Sequence, residues 1–214
     1  MTDQIVVKEP AASEPKKKVP VVRRIKQKKT FQVKFRRRRE QKTDYEKRLA
    51  LVRSKKVRIV ARKTNKRIIL QAIRFNPKGD ETLASADSNE LKAYKFYGTN
   101  NTPSAYLTGF LLGKRMLKHA KEGVLDIGRK HPSHGSVVFA AVKGVADAGV
   151  NVPFSMDAVP KEDRITGKVL DDYAKKLGDK AKVVFAGYIK EGINPGEISK
   201  AFEKAKAEIA KVKE

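Results

Sequence analysis

Val57-Arg58-Ile59-Val60-Ala61-Arg62-Lys63, followed after a short turn by Ile68-Ile69-Leu70-Gln71-Ala72-Ile73-Arg74-Phe75, is the stretch on which the fold turns. The first run alternates. Val57, Ile59 and Ala61 share one face and Arg58 and Arg62 the other, the period of a strand with one side against a core. The second run is apolar on both faces, as expected of a strand in the middle of a sheet. Asn76-Pro77-Lys78-Gly79-Asp80 then supplies turn chemistry before a third strand from Thr82 to Asp87. Together these runs predict an antiparallel meander whose first strand shows a basic face.

Toward the C-terminus the period changes. Thr102 as N-cap and Pro103 at the first helical position open a helix whose stripe is Tyr106, Phe110, Gly113, Leu117 and Ala120. Val124-Leu125-Asp126-Ile127 is too short for a helix and reads as a buried strand ending at Gly128. Another helix turns Val138, Val142 and Val145 inward and stops at Gly149. The order predicts an α/β fold over residues 43–155: a mixed sheet in which an antiparallel meander is followed by a β-α-β-α pattern. Residues 156–214 read as a helical C-terminal appendage. Ile165, Val169, Tyr173 and Leu177 recur every four residues, and Asn194-Pro195 opens a last helix with Ile198, Phe202, Ala205, Ile209 and Val212 inward. Between them, Val183 to Ile189 is a short apolar run that periodicity does not type.

Toward the N-terminus the chain becomes a basic ribbon. The whole chain of 214 residues has a net charge of +25, and residues 16–63 alone hold 22 Lys and Arg against three acids, +19 of that total. Such crowding repels itself in a compact state, so a polyanion is expected to neutralise it. Nucleic acid fits best, because each Lys or Arg on a phosphate releases counterions and the Arg fork matches phosphate geometry. A membrane surface would call for an apolar face or a lipid anchor, and neither is visible. Residues 1–42 read as a basic nucleic-acid-binding extension, largely disordered when free. Pro10, Pro15 and Pro20 punctuate residues 1–30, which have few large apolar groups. Thr43-x-x-Glu46 reads as a capping box opening a short helix through Tyr45, Leu49 and Val52, with Lys47, Arg48 and Arg53 outside.

Catalytic chemistry has little to stand on. The chain has no cysteine, which removes disulfides, thiolate nucleophiles and Cys-based zinc sites. No signal peptide is expected at the polar N-terminus, and no apolar run is long enough to span a membrane. His131-Pro132-Ser133-His134 has a spacing seen in metal sites, but Pro132 prevents the helix that would align both rings. Gly109-x-x-x-Gly113-Lys114 is better explained by close helix packing than by a phosphate loop. Asp126, at a strand end beside Gly128, invites comparison with a metal-dependent nuclease if Asp87 and Asp147 converged on it. The preferred reading is that Asp126 shapes the following loop, Arg129 to Ser136, whose donors precede a helix N-terminus. Asn100-Asn101-Thr102-Pro103 offers a second such corner, or ordinary capping.

Longer motifs then stand out. Phe35-Arg36-Arg37-Arg38-Arg39-Glu40-x-Lys42-Thr43-Asp44-Tyr45-x-Lys47-Arg48-Leu49 resembles the opening of the universal large-subunit ribosomal protein eighteen family, of archaeal and eukaryotic type, which binds 5S ribosomal RNA. The likeness continues through Asn101-Thr102-Pro103-x-Ala105-Tyr106-Leu107-Thr108-Gly109, Val124 to Gly128, Gly135 to Gly144 and Pro160 to Gly167. It covers residues 33–173, with a looser echo from Tyr188 to Ile193. Residues 1–30 extend beyond the family's usual start.

That resemblance implies a sheet domain related to ribonuclease-H-like folds but lacking their acids. It also implies a cytoplasmic place on the central protuberance of the large subunit, bridging 5S and 23S-type rRNA beside neighbouring ribosomal proteins. RNA contacts are expected at Lys34, Phe35, Arg36, Arg37, Arg38, Arg39 and Lys42, then at Tyr45, Arg48, Arg53 and Lys55. The first strand and its end add Arg58, Arg62, Lys63, Thr64, Asn65 and Lys66. The later loop adds Arg129, Lys130, His131, His134 and Ser136. No catalytic residue, metal, cofactor, membrane or small-molecule substrate is expected. A metal-dependent nuclease and a general nucleic-acid compacting protein are the alternatives.

Overall fold

The computed structural model describes residues 33–211. The expectations for residues 1–30 and for Val212 lie outside that span. A single turn, α1 (Arg36–Arg39), and a short helix, α2 (Tyr45–Arg53), lead into the strands β1 (Val57–Lys63), β2 (Ile68–Arg74) and β3 (Glu81–Asp87). After a 3₁₀ segment come α3 (Thr102–Met116), β4 (Gly123–Asp126) and α4 (Val137–Asp147). The chain closes with α5 (Glu162–Thr166), α6 (Lys168–Leu177), α7 (Ala181–Val184), α8 (Ala186–Lys190) and α9 (Ile198–Ala210).

The expected mixed sheet is present. Among the described residues its order is β3-β2-β1-β4, with β1 antiparallel to β2 and parallel to β4. The burial of the first two strands is the reverse of the sequence expectation. Residues Val57 to Ala61 of β1 are all buried, whereas β2 buries Ile68, Leu70 and Ala72 and leaves Ile69, Gln71 and Ile73 half covered. The parallel β4 supplies β1 with its second neighbour, and local alternation carries no sign of a partner some sixty residues downstream.

One core runs through the described domain. α3 is buried around nearly its whole circumference, thirteen of its fifteen residues, because it lies against the sheet, α4 and α9. The single stripe expected for it is therefore too narrow, and the helix ends at Met116, before Ala120. Its contact with α4 depends on glycine. A Cβ on Gly109 would stand 2.0 Å from the Ala141 carbonyl oxygen, and one on Gly144 would stand 2.2 Å from that of Tyr106. This supports the helix-packing reading of the Gly109 motif. Asn101, one residue earlier than expected, caps α3 by accepting the Ser104 N–H at 3.0 Å. Gly149 ends the α4 region at φ +110° as the sequence suggests.

Side chains from both sides of residue 155 share that core. Ile198 and Ile209 of α9 are fully covered, and Phe202 lies 5.5 Å from Tyr106, ring to ring. The four-residue stripe expected over 165–177 does not form the buried face. Gly167 at φ +90° separates α5 from α6, so Val169 and Tyr173 are about half exposed while Asp171 and Ala174 turn inward. Asp171 receives the Ile198 and Ser199 N–H groups at 2.7 and 3.1 Å, capping α9 from another helix. Its charge stays acceptable inside because it meets free N–H donors at a helix start. The untyped 183–189 run is helical, split between α7 and α8 at Phe185.

Candidate nucleic-acid interface

The arginine run becomes α1, a turn of four exposed arginines with Phe35 exposed just before it. Glu40 and Glu46 lie only at the margins of ion-pair distance from it, 3.8 Å from Arg36 and 3.7 Å from Arg38. Exposed pairs of that length contribute little, so most of the charge stays available to a ligand. The capping box expected at Thr43 does not form. Asp44 caps α2, accepting the Glu46 and Lys47 N–H groups at 3.1 and 3.2 Å, while the Thr43 hydroxyl accepts from Arg37 Nε at 3.0 Å. The Lys47 N–H, opposed by desolvation and helped by the Lys47 charge, holds the Asp44 carboxyl below its usual range. α2 has no buried residue, and Tyr45 and Leu49 are substantially exposed one turn apart.

Beneath α2 runs a chain of ion pairs. Arg48 reaches Asp80 at 2.9 Å, and the same Asp80 oxygen receives Arg58 at 2.6 Å. Arg58 also donates to Asp126 Oδ2 at 3.1 Å, while Asp126 Oδ1 accepts the Gly128 N–H at 2.9 Å. With its residue only 3 % exposed, Arg58 cannot belong to the outer basic face expected of β1, which keeps Arg62, while Lys63 is exposed at the strand end. The reason is electrostatic: a guanidinium between two carboxylates is tolerated in the interior, where an unpaired one is not. Its Nε remains buried without a hydrogen-bond partner. Asp126 thus shapes the following loop through Gly128, as the sequence reading preferred. Its suggested companions are engaged elsewhere, Asp87 with Arg67 at 3.1 Å and Asp147 with the Tyr106 hydroxyl at 2.6 Å. No cluster of three metal-capable side chains occurs among the described residues.

The loop after β4 folds back toward the N-terminal elements. Arg129 donates to the Gln41 carbonyl, and Lys130 Nζ donates to that of Lys63 at 2.8 Å. Gly128, at φ +64°, leaves room for the Arg62 guanidinium, which a Cβ would meet at 2.6 Å. Asn100 Nδ2 holds the turn after β1 through the Thr64 and Asn65 carbonyls at 3.0 and 2.6 Å, with Lys66 exposed beside it. Three separated segments, 35–48, 62–66 and 128–130, are therefore drawn together. The later loop is anchored differently. Gly135 N–H donates to Ala158 O at 2.9 Å, and His134 Nδ1 lies 3.1 Å from Asp157 O. His131 is exposed, and Ser136 stands at the N-cap of α4 without a side-chain cap bond. Arg53 and Lys55 lie at the far end of α2, exposed. Sequence reasoning missed Asp80 as the shared anchor of Arg48 and Arg58, since it read as a turn residue; an acid closing a turn within a basic ribbon was the available clue.

Fold and surface define a basic α/β protein whose positive charge gathers on one set of elements. Residues 29–123 match the family described as ribosomal large subunit proteins 60S L5 and 50S L18. Over 177 residues the chain is 49 % identical to the large ribosomal subunit protein uL18 of Korarchaeum cryptofilum (strain OPF8), a match spanning 81 % of this chain and 91 % of that one. The chain belongs to the uL18 family of large-subunit ribosomal proteins, a family of structural ribosomal components. No described helix is long and apolar enough to cross a membrane.

Proposed function

We propose that this protein binds 5S rRNA and helps attach it to 23S-type rRNA at the central protuberance of the cytoplasmic large subunit, acting by recognition without catalysis or cofactor. The observation that carries the reading is the gathering of 35–48, 62–66 and 128–130 around exposed arginines. Phosphate contacts from α1, Lys42, Lys63 and Lys66 supply affinity, and the Arg129–His134 loop with Phe35 and Tyr45 supplies discrimination through stacking and RNA shape. Arg58 takes no part at the surface and acts by holding Arg48 and Asp126 in place. A compacting protein would bind duplex DNA and structured RNA alike, whereas this assignment requires preference for 5S RNA.

The test is competition binding of 5S RNA against unrelated structured RNA across a salt series. Affinity should fall by a log–log slope of about −0.7 to −0.9 per neutralised phosphate. Replacing Arg36 to Arg39 with Ala should flatten the slope and keep the preference. An unchanged slope would remove α1 from the interface, and absence of preference for 5S RNA would overturn the assignment.

A further inference from the structure

Far along the sequence from the arginine ribbon, α6, α7, α8 and the turn into α9 enclose a groove of about 650 Å³. Ala174, Ala181, Ile189, Ile193 and Pro195 give it a mostly apolar lining, with Lys175 and Lys182 at its edge. Ile189 is 42 % exposed, and earlier in the chain, on α7, Val183 and Val184 are 81 % and 58 % exposed. Two adjacent β-branched residues on a four-residue helix, left in water, gain nothing from this chain alone. An apolar groove accompanied by exposed apolar side chains marks an interaction site.

Two further observations say what covers it. Gly196 lines the groove, its φ is outside the left-handed region, and a Cβ there would meet nothing within 4 Å. This chain's own packing does not require glycine at that position, which leaves open space for the backbone of an occupant. The charged side chains in the lining are lysines: among the described residues Lys175 has no acidic partner, and Lys182 has only an exposed pair with Asp179 at 3.5 Å. An apolar floor offers nothing to a phosphate backbone, while lysines around it favour a carboxylate-bearing occupant.

We propose that this groove docks an amphipathic, net-acidic polypeptide segment of another protein, with apolar side chains against Ile189 and Ile193 and acids opposite Lys175 and Lys182. The proposal rests on membership of the large-subunit family and not on which RNA the chain binds.

The experiment places a photo-crosslinking p-benzoylphenylalanine at Gly196 in the full chain, assembled into native large subunits, with Glu203 on exposed α9 surface as the control position. The crosslinked segment is sequenced, synthesised and titrated onto the full chain. The expected product is a polypeptide segment of net negative charge with apolar residues at helical spacing. Its affinity should fall about tenfold with Ile189→Asp, in line with loss of a central apolar anchor. Lys182→Glu should cost about threefold at low salt. Gly196→Leu, which enters open space and leaves the fold intact, should block binding as well. A crosslink to RNA, to a second copy of this chain or to a net-basic segment overturns the proposal, and so does a yield no higher than at Glu203. All three variants should keep the affinity of the parent chain for 5S RNA, so failure of the RNA assignment and failure of the groove are separate results.

Discussion

Helices α2 and α3 show two opposite uses of sequence. α3 buries thirteen of fifteen residues, and α2 buries none of its nine. α3 is rich in Leu and Gly and packs against the sheet, α4 and α9. α2 exposes Tyr45 and Leu49 among lysines and arginines, and its charged anchor to the body is the Arg48–Asp80–Arg58 chain of ion pairs. Stability resides in the first helix. The second is placed for contact with something outside the chain, because apolar residues exposed at helical spacing give nothing back to an isolated fold.

The strongest test attacks the anchor. Arg58→Ala should lower unfolding free energy by about 3–5 kcal/mol, since it removes a buried guanidinium and leaves the Asp126 and Asp80 carboxylates, 12 % and 23 % exposed, without their shared cation. Chemical denaturation reads the loss. A decrease below about 1 kcal/mol would mean that α2 is not held through this residue. Next comes α3 itself. Leu107 is completely buried, and Leu107→Ala should cost about 2–5 kcal/mol. Leu49→Ala in α2 should stay within about 0.5 kcal/mol. Equal losses at the two positions would erase the distinction between the helices.

What could be read in the sequence follows the same division. The α/β class, the α3 start near Asn101, the Gly149 stop and the close packing at Gly109 were legible because each is a local signal: a period, a cap, a small residue. Arg58 was misassigned because its environment depends on Asp80 and Asp126, 22 and 68 residues away. The exchange of roles between β1 and β2 has the same origin, a parallel neighbour contributed by β4. In α5–α6 a regular spacing of four suggested one buried stripe, and a single glycine at positive φ rotated it out of register. The charged segments were visible from composition, yet their meeting depends on backbone carbonyls at Gln41 and Lys63, which no side-chain pattern encodes.

A smaller effect separates folding from recognition. Arg129→Ala/Lys130→Ala should weaken 5S RNA binding by about 1–3 kcal/mol and reduce preference over unrelated RNA. Arg23→Ala/Arg24→Ala removes equal charge and should reduce affinity while keeping preference. Melting temperature should hardly change in either. If both double mutants lose the same affinity and the same preference, the loop is part of a diffuse basic surface.

The smallest expected effect concerns the cap of α2. Asp44 is half-buried, and its carboxyl is held below 3.8 by the Lys47 N–H first, against desolvation, with further help from the charge of Lys47, the Glu46 N–H and the charge of Arg129. A carboxyl lowered in the folded state adds stability that is present above its unfolded value and lost as pH falls through the folded one. The Lys47 amide should therefore be protected from exchange at neutral pH and lose protection as pH drops below 3.8, while amides of α3 hold theirs. Asp44→Asn retains a cap without a titrating charge, so its Lys47 amide should show no such pH dependence. Because α2 buries nothing, loss of the cap should loosen that helix alone. If α3 amides open together with Lys47, the two helices fold as one unit and the contrast between them does not hold.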